Sequence, residues 1–181
     1  MIKGKKLAQS FRKEDRLIVR KEKNCFWITD TYILIKLSIK EGKKFLMKWN
    51  SYKTTKNLPH LKEDKAYEIK PRREGFIEDS NLIPPLINAG YSNMKEVKIT
   101  DIIYISDKKL YRVYQYDKNK QGIFNHKYSW IIDNLEYKKA EVEGPNKAVI
   151  FKDREDKITG MIMPIRTEKE DYLKELKKVA G

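Results

Sequence analysis

The apolar residues of this chain fall in short runs whose period switches repeatedly between that of a helix and that of a strand. Leu7 and Phe11 stand four apart, the edge of a helix expected over residues 3–16. Residues 17–19 and 25–37 follow, the second run rich in the Ile, Trp, Tyr and Thr that suit a pleated surface. A short helix or turn is expected around residues 45–49, then an exposed loop or ribbon through the lysine-dense stretch ending at Lys70. Residues 71–85 are expected to be a connector, punctuated by Gly75 and Pro84-Pro85. Beyond it, strands are expected at 97–106 and 109–116, with turn chemistry over 117–122.

A helix striped by Tyr128, Ile131, Ile132 and Leu135 is expected from Asn125 or His126 to about Tyr137. Strands at 148–152 and 157–163 bracket the charged turn 153–156. Thr167 and Glu170 have capping-box spacing and open a tail helix with Tyr172, Leu173, Leu176 and Val179 on one side. The order helix, strands, helix, strands, helix predicts an α+β domain of antiparallel sheet. No fixed-period repeat runs through it.

At 181 residues the chain has the size of one domain and can bury a core without staples. One cysteine and two histidines exclude a disulfide framework and a Cys/His zinc site. No apolar run approaches the roughly 20 residues that span a bilayer, and residues 1–6 lack the apolar stretch of a signal peptide. The expectation is a soluble cytoplasmic protein with no membrane partner. The formal net charge is +14, and it is unevenly spread. Residues 1–70 carry 19 basic and 8 acidic side chains, residues 71–181 carry 21 and 18. Lys outnumbers Arg 32 to 8, which suits contact with phosphates more than readout of base edges. The same lysines also suit a solubilising surface.

Motifs for chemistry are sparse. No Gly-rich phosphate loop, nucleophile elbow or metal spacing occurs. Glu141, Glu143 and Lys147 could form a carboxylate–lysine nuclease constellation, but Gly144-Pro145 between them reads as a turn flanked by solvated charges. His126 reads as a surface or cap residue, His60 has no partner at ligand spacing, and Cys25 beside Phe26 and Trp27 reads as a small buried hydrophobe. The chain is expected not to be an enzyme, and to need neither cofactor nor metal.

Three motifs in the last third occur in the order and near the spacing of a known family. Phe124-Asn125-His126-Lys127-Tyr128-Ser129-Trp130-Ile131-Ile132-Asp133-Asn134-Leu135 resembles the Phe-Asn-Pro-x-Tyr-Leu-x-Asp-x-Leu segment of bacterial DNA polymerase III sliding clamps. Gly144-Pro145-Asn146-Lys147-Ala148-Val149-Ile150 is similar to the turn and strand that follow it. Gly160-Met161-Ile162-Met163-Pro164-Ile165-Arg166 is similar to the terminal Ile-Met-Pro-Met-Arg strand. Upstream, Ile28-Thr29-Asp30-Thr31-Tyr32-Ile33-Leu34 resembles the clamp's Ala-Thr-Asp-Gly-His/Tyr-Arg-Leu, with Thr31 replacing Gly and Ile33 replacing Arg. Residues 76–84 resemble its Phe-Pro-Asp-Tyr-x-x-Val-Leu-Pro.

The resemblance implies a DNA-clamp-like domain of antiparallel sheets with two main helices over residues 1–166, a lysine-rich insertion at about 50–75, and a helical tail at 167–181. A bacterial clamp chain has three such domains, so this would be a short single-domain relative of the kind phages and mobile elements carry. It implies duplex DNA held non-specifically, with Lys5, Lys6, Gln9, Arg12, Lys13 and Arg16 as candidate contacts on the first helix. It also implies a docking pocket for replication-protein peptides, from a polymerase or clamp loader, lined by Thr29, Tyr32, Leu34, Ile77, Leu82, Met163, Pro164 and Ile165. A homo-oligomer would fit the same reading. A clamp-fold decoy that captures such peptides without binding DNA stands beside it, as does an RNA-binding or nuclease domain.

Overall fold

The computed structural model describes residues 2–51, 58, 60–70, 76–78, 91–118 and 120–165, the side chains of 76–78 excepted. The expected tail helix and Leu82 lie outside the described residues. The chain is an α+β protein. Helix α1 (Gly4–Ser10) leads into strands β1 (Leu17–Lys21), β2 (Cys25–Thr29) and β3 (Ile33–Ser38). Helix α2 (Ile39–Trp49) is followed by β4 (Ala66–Ile69), β5 (Phe76–Glu78) and β6 (Lys95–Glu96). Strands β7 (Lys98–Ser106), β8 (Lys109–Asp117) and β9 (Lys120–Asn125) form a separate small sheet. A 3-10 turn (His126–Tyr128) runs into helix α3 (Ser129–Asn134), and β10 (Lys139–Val142), β11 (Val149–Lys152) and β12 (Ile158–Ile162) follow.

Among the described residues nine strands make one sheet in the order β5-β4-β1-β2-β3-β12-β11-β10-β6, every pair antiparallel. Its centre is the β3–β12 pair, with Leu34 opposite Met161 and Ile33 opposite Ile162. The two halves mirror each other in order: α1 precedes the meander β1-β2-β3, α3 precedes the meander β10-β11-β12, and their last strands meet. Alternation along the strands sends Phe26, Ile28, Ile33, Ile35 and Leu37 to one face, where they join Leu7, Phe11, Phe45, Tyr114 and Phe124 in the main core. Ile18, Trp27, Leu34, Ile150 and Met161 point the other way and form a second buried cluster, with Tyr91 and Met94 packed on it. The large sheet is therefore apolar on both sides, unlike a sheet with one solvated face.

Several expected elements differ from the observed ones. The first helix stops at Ser10 rather than Arg16: the next bonds are of the i+3 kind, and the Phe11 carbonyl accepts both the Glu14 N–H at 3.1 Å and the Trp49 indole N–H at 3.0 Å. The second helix begins at Ile39, six residues before the expected turn, and Ser38 caps it by accepting from the Glu41 N–H. The expected strand over 25–37 is two strands broken at Asp30, whose Oδ1 accepts from the N–H groups of Tyr32 and Ile33. Residues 120–122 belong to a strand rather than a turn. Gly122 sits there because the Tyr114 ring occupies the space a Cβ would need, 2.3 Å away.

The expected helix over 126–137 is shorter. It opens as a 3-10 turn with the Asn125 side chain accepting from the Lys127 N–H, and ends at Asn134 where Leu135 turns extended over Gly160. Strands β4, β6 and β10 have no counterpart among the expected elements, and β5 lies inside the expected connector. The helix pair and small sheet both rest on one face of the large sheet through aromatic side chains. Phe11 meets Phe45 edge-on at 6.0 Å and Phe45 stacks on Trp49 at 6.5 Å. Phe45→Ala is expected to lower the stability of the protein by roughly 3–5 kcal/mol in a urea titration, since Phe45 is fully buried at the centre of that stack.

A candidate nucleic-acid interface

Helices α1 and α2 lie side by side, and the closeness depends on one glycine. A Cβ at Gly4 would stand 2.0 Å from the Glu41 carbonyl oxygen, so no other residue allows this approach. The Gly4 N–H, unpaired at the start of its own helix, donates to Glu41 Oε2 at 2.7 Å. Lys44 Nζ donates to Glu41 Oε1, also at 2.7 Å. Ser38 and Glu41 have the spacing of a capping box, yet the Glu41 carboxylate reaches across to the neighbouring helix instead of back to its own cap. The Lys44 and Gly4 hydrogen bonds hold the Glu41 carboxyl below its ordinary value of 4.5, against the opposing effect of burial.

With Gly4, Leu7, Ala8 and Phe11 turned inward, α1 leaves Lys3, Lys5, Lys6 and Gln9 exposed, and the following turn exposes Arg12 and Lys13. With Glu41, Gly42, Phe45, Leu46 and Trp49 inward, α2 exposes Lys40, Lys43 and Lys48, with Lys44 half-buried. Helical spacing puts Lys5 and Gln9 of α1 and Lys44 and Lys48 of α2 nearest the crease between the helices. Among the described residues no carboxylate pairs with Lys3, Lys5, Lys6, Arg12, Lys13, Lys40, Lys43 or Lys48. Phe11, Phe45 and Trp49 are all buried, so the described face offers cations and no stacking ring. Such a surface suits phosphates along a duplex, whereas a grip on unstacked bases calls for exposed rings. Arg16, the last of the expected contacts, bonds Glu68 at 3.3 Å beside β4 and is set apart from the helix face.

Lys40, Lys43 and Lys44 escape a reading of the sequence that starts a short helix or turn only around residue 45. The signal for them is Ser38-Ile39-Lys40-Glu41, a capping box ahead of Phe45, Leu46 and Trp49.

The expected peptide-pocket residues divide. Tyr32 and Met163 come together: the Met163 N–H donates to the Tyr32 carbonyl at 2.8 Å, and their side chains are 61% and 39% exposed. Pro164 and Ile165 continue from Met163, half-buried, and Ile165 bonds Ile123 through the backbone. Thr29 and Leu34 face each other across β2 and β3 but are buried. The Thr29 hydroxyl accepts from the Thr31 N–H at 2.8 Å, and Leu34 packs with Met161. Ile77 sits on β5 at the far edge of the sheet, four strands from β3.

The turn that presents Tyr32 is held in a costly shape. Thr31, β-branched, has a φ of 80°, and its neighbours over-determine that conformation. Asp30 is the anchor: besides its two backbone bonds, its Oδ2 accepts from the Tyr128 hydroxyl and lies 3.6 Å from Lys127 Nζ. Burial, and then the bond to Asp30, push the Tyr128 hydroxyl well above the usual tyrosine range. Lys127 also bonds Glu14 at 2.9 Å, which stitches the turn after α1 to the 3-10 turn before α3.

The remaining chemical candidates are occupied by structural work. Glu141 bonds Lys152 at 2.7 Å and Lys139 at 3.0 Å, whereas Glu143 accepts from the Ser92 N–H, so the two carboxylates serve different neighbours. His126 Nδ1 lies 2.9 Å from the Ser129 hydroxyl at the start of α3. Burial, and then the hydrogen bond to Glu22, push the Cys25 thiol up to about 12, far from a nucleophile's range. Among the described residues no three His, Cys, Asp or Glu side chains gather as a metal site would need, and no helix is long and apolar enough to cross a membrane.

Comparison with protein-family models and with curated proteins finds no match to this chain.

Glu41→Gln is expected to loosen the helix pair and to lower stability at pH 7 by about 1–2 kcal/mol. The lowered Glu41 pKa adds stability above the ordinary glutamate value and loses it as pH falls through the folded value. The gap between variant and parent in urea titrations should therefore close as the pH is lowered below about 4.

Proposed function

We propose that this protein is a sliding-clamp-like accessory of DNA replication, acting in the cytoplasm as a binding module rather than an enzyme. In this reading the α1–α2 face lies along duplex DNA and holds it by phosphate attraction alone. The observation that carries it is the pairing of two helices that expose Lys3, Lys5, Lys6, Lys40, Lys43 and Lys48, none of them paired with a carboxylate among the described residues. A protein that slides must be attracted to every step of the duplex equally. Lysine point charges on a rigid face meet that need, and arginine forks on base edges would not. The motifs shared with the clamp family supply the replication context, and the Tyr32–Met163 patch supplies a place for a short hydrophobic peptide, since methionine repacks around varied partners.

Binding of the intact protein to duplex DNA of several sequences, measured across a salt series, tests this. Affinity should be independent of sequence and fall steeply with salt. Replacing Lys5, Lys6, Arg12 and Lys13 with Glu should weaken binding uniformly and flatten the salt slope by about one unit for each phosphate no longer neutralised. Lys43→Glu with Lys48→Glu should do the same. Absence of any salt-dependent duplex binding, with retained capture of a Gln-Leu-x-Leu-Phe peptide that Met163→Ala weakens, would instead support the decoy reading.

A further inference from the structure

Among the described residues, Thr31 departs from the other non-glycine positions with positive φ. Ser51, Asp64, Asn93, Asp107, Lys108 and Asp156 lie between 49° and 62°, inside or at the border of the small left-handed well. Four of those six are Asp or Asn, whose short polar side chains tolerate that conformation. Thr31 stands at 80°, outside the well, and carries a branched Cβ. Its side chain is exposed, so no burial of its own offsets the strain.

Three successive N–H groups enforce the shape. Thr31 donates to the Thr29 hydroxyl at 2.8 Å, and Tyr32 and Ile33 both donate to Asp30 Oδ1 at 3.0 Å. The Tyr32 carbonyl accepts the Met163 N–H at 2.8 Å. Both backbone groups of Tyr32 are therefore engaged, one by the turn and one by the end of β12, while its side chain is 61% exposed. A buried anchor does not by itself demand a left-handed residue. Arg112 holds the bulge of β7, where the register slips between Ile99 and Ile103, by donating to the Thr100 carbonyl, and no residue of that bulge has positive φ.

Strain of this kind persists where its surroundings over-determine it, and it gathers at ligand clamps and active sites. A glycine at position 31 would accept the same hydrogen bonds without strain, but it would roam a wide range of positive φ. Threonine is confined to a narrow range. The stiffness falls on Tyr32, whose ring stands beside the exposed Met163. A tyrosine fixed before its partner arrives offers a large contact area and loses little entropy on binding.

We propose that Thr31 is a positioning residue for the Tyr32–Met163 docking site, an inference that rests on the peptide-docking reading above. Its strained turn gives up stability of the fold and in return fixes the Tyr32 ring, on which one apolar side chain of the peptide packs. Thr31 acts through the backbone and does not touch the peptide.

The experiment compares Thr31→Gly and Thr31→Asn with the parent, each as the full chain. It reads the urea midpoint, the order parameter of the Tyr32 amide from NMR relaxation, and the anisotropy of a fluorescein-labelled Gln-Leu-Ser-Leu-Phe peptide. Thr31→Gly is expected to raise the urea midpoint, lower the Tyr32 order parameter and weaken peptide binding about two- to fivefold. Duplex DNA affinity should not change. A merely structural residue would move stability and affinity in the same direction. Thr31→Asn keeps a Cβ and tolerates left-handed φ, so it should raise the midpoint and hold affinity within about twofold of the parent.

Unchanged peptide affinity in Thr31→Gly, with a parent that binds the peptide and a Met163→Ala variant that binds it less well, overturns this proposal and leaves the docking site standing. An equal loss in Thr31→Asn and Thr31→Gly overturns it as well, because the threonine side chain would then be a direct contact. No binding of the peptide to the parent up to about 1 mM overturns the docking reading and this proposal together.

Discussion

Glu41 ties together two helices that would otherwise have little reason to lie side by side. Its carboxylate takes the first N–H of α1, which has no partner in its own short helix, and the Lys44 ammonium of its own helix. Gly4 lets the backbones approach, and the Phe11, Phe45 and Trp49 rings fill the space beneath. A seven-residue helix is marginal alone, so α1 exists because of this contact. Everything the basic face can do depends on the two rows of lysines being held in one fixed relation.

The rest of the molecule follows a similar logic of buried polar anchors at points where the chain must turn. Asp30 satisfies two backbone N–H groups, a tyrosine hydroxyl and a lysine, and in doing so forces Thr31 into a left-handed conformation. Arg112 does the same for the β7 bulge. Each anchor sits at the border between a protected region and an exposed one: Tyr32 beyond Asp30, and Ile103 to Asp107 beyond Arg112. Rigid support beside an open surface would serve the proposed binding role, because pre-ordered groups lose less entropy when a partner arrives.

Much of the α+β order is legible from apolar period alone. The 97–106 and 109–116 strands and the 148–152 and 157–163 strands agree with the observed β7, β8, β11 and β12 to within a residue or two, because each is bounded by charged turn residues. Elements go unread where local and tertiary signals conflict. Gly122 looks like a turn residue and is a strand residue, since the Tyr114 ring takes its missing side chain's place. Strands β4 and β10 are only four residues long, and become strands by pairing with β1 and β11. In the candidate site, α1's cations are readable as one helix face, whereas the gathering of α2 beside them is not.

What the sequence by itself determined is the class of fold, the uneven charge and the identity of the α1 face, because period and composition are local properties. Tertiary structure decided which of the expected pocket residues meet. Leu34 and Met161 sit on the buried outer face of the sheet, Tyr32 and Met163 at its rim, and Ile77 on a distant edge strand. It also decided that β7 is an edge strand among the described residues, with Ile103 and Ile105 exposed. Strand order and register come from pairings between residues far apart in the chain, and no local pattern encodes which edge is left without a neighbour.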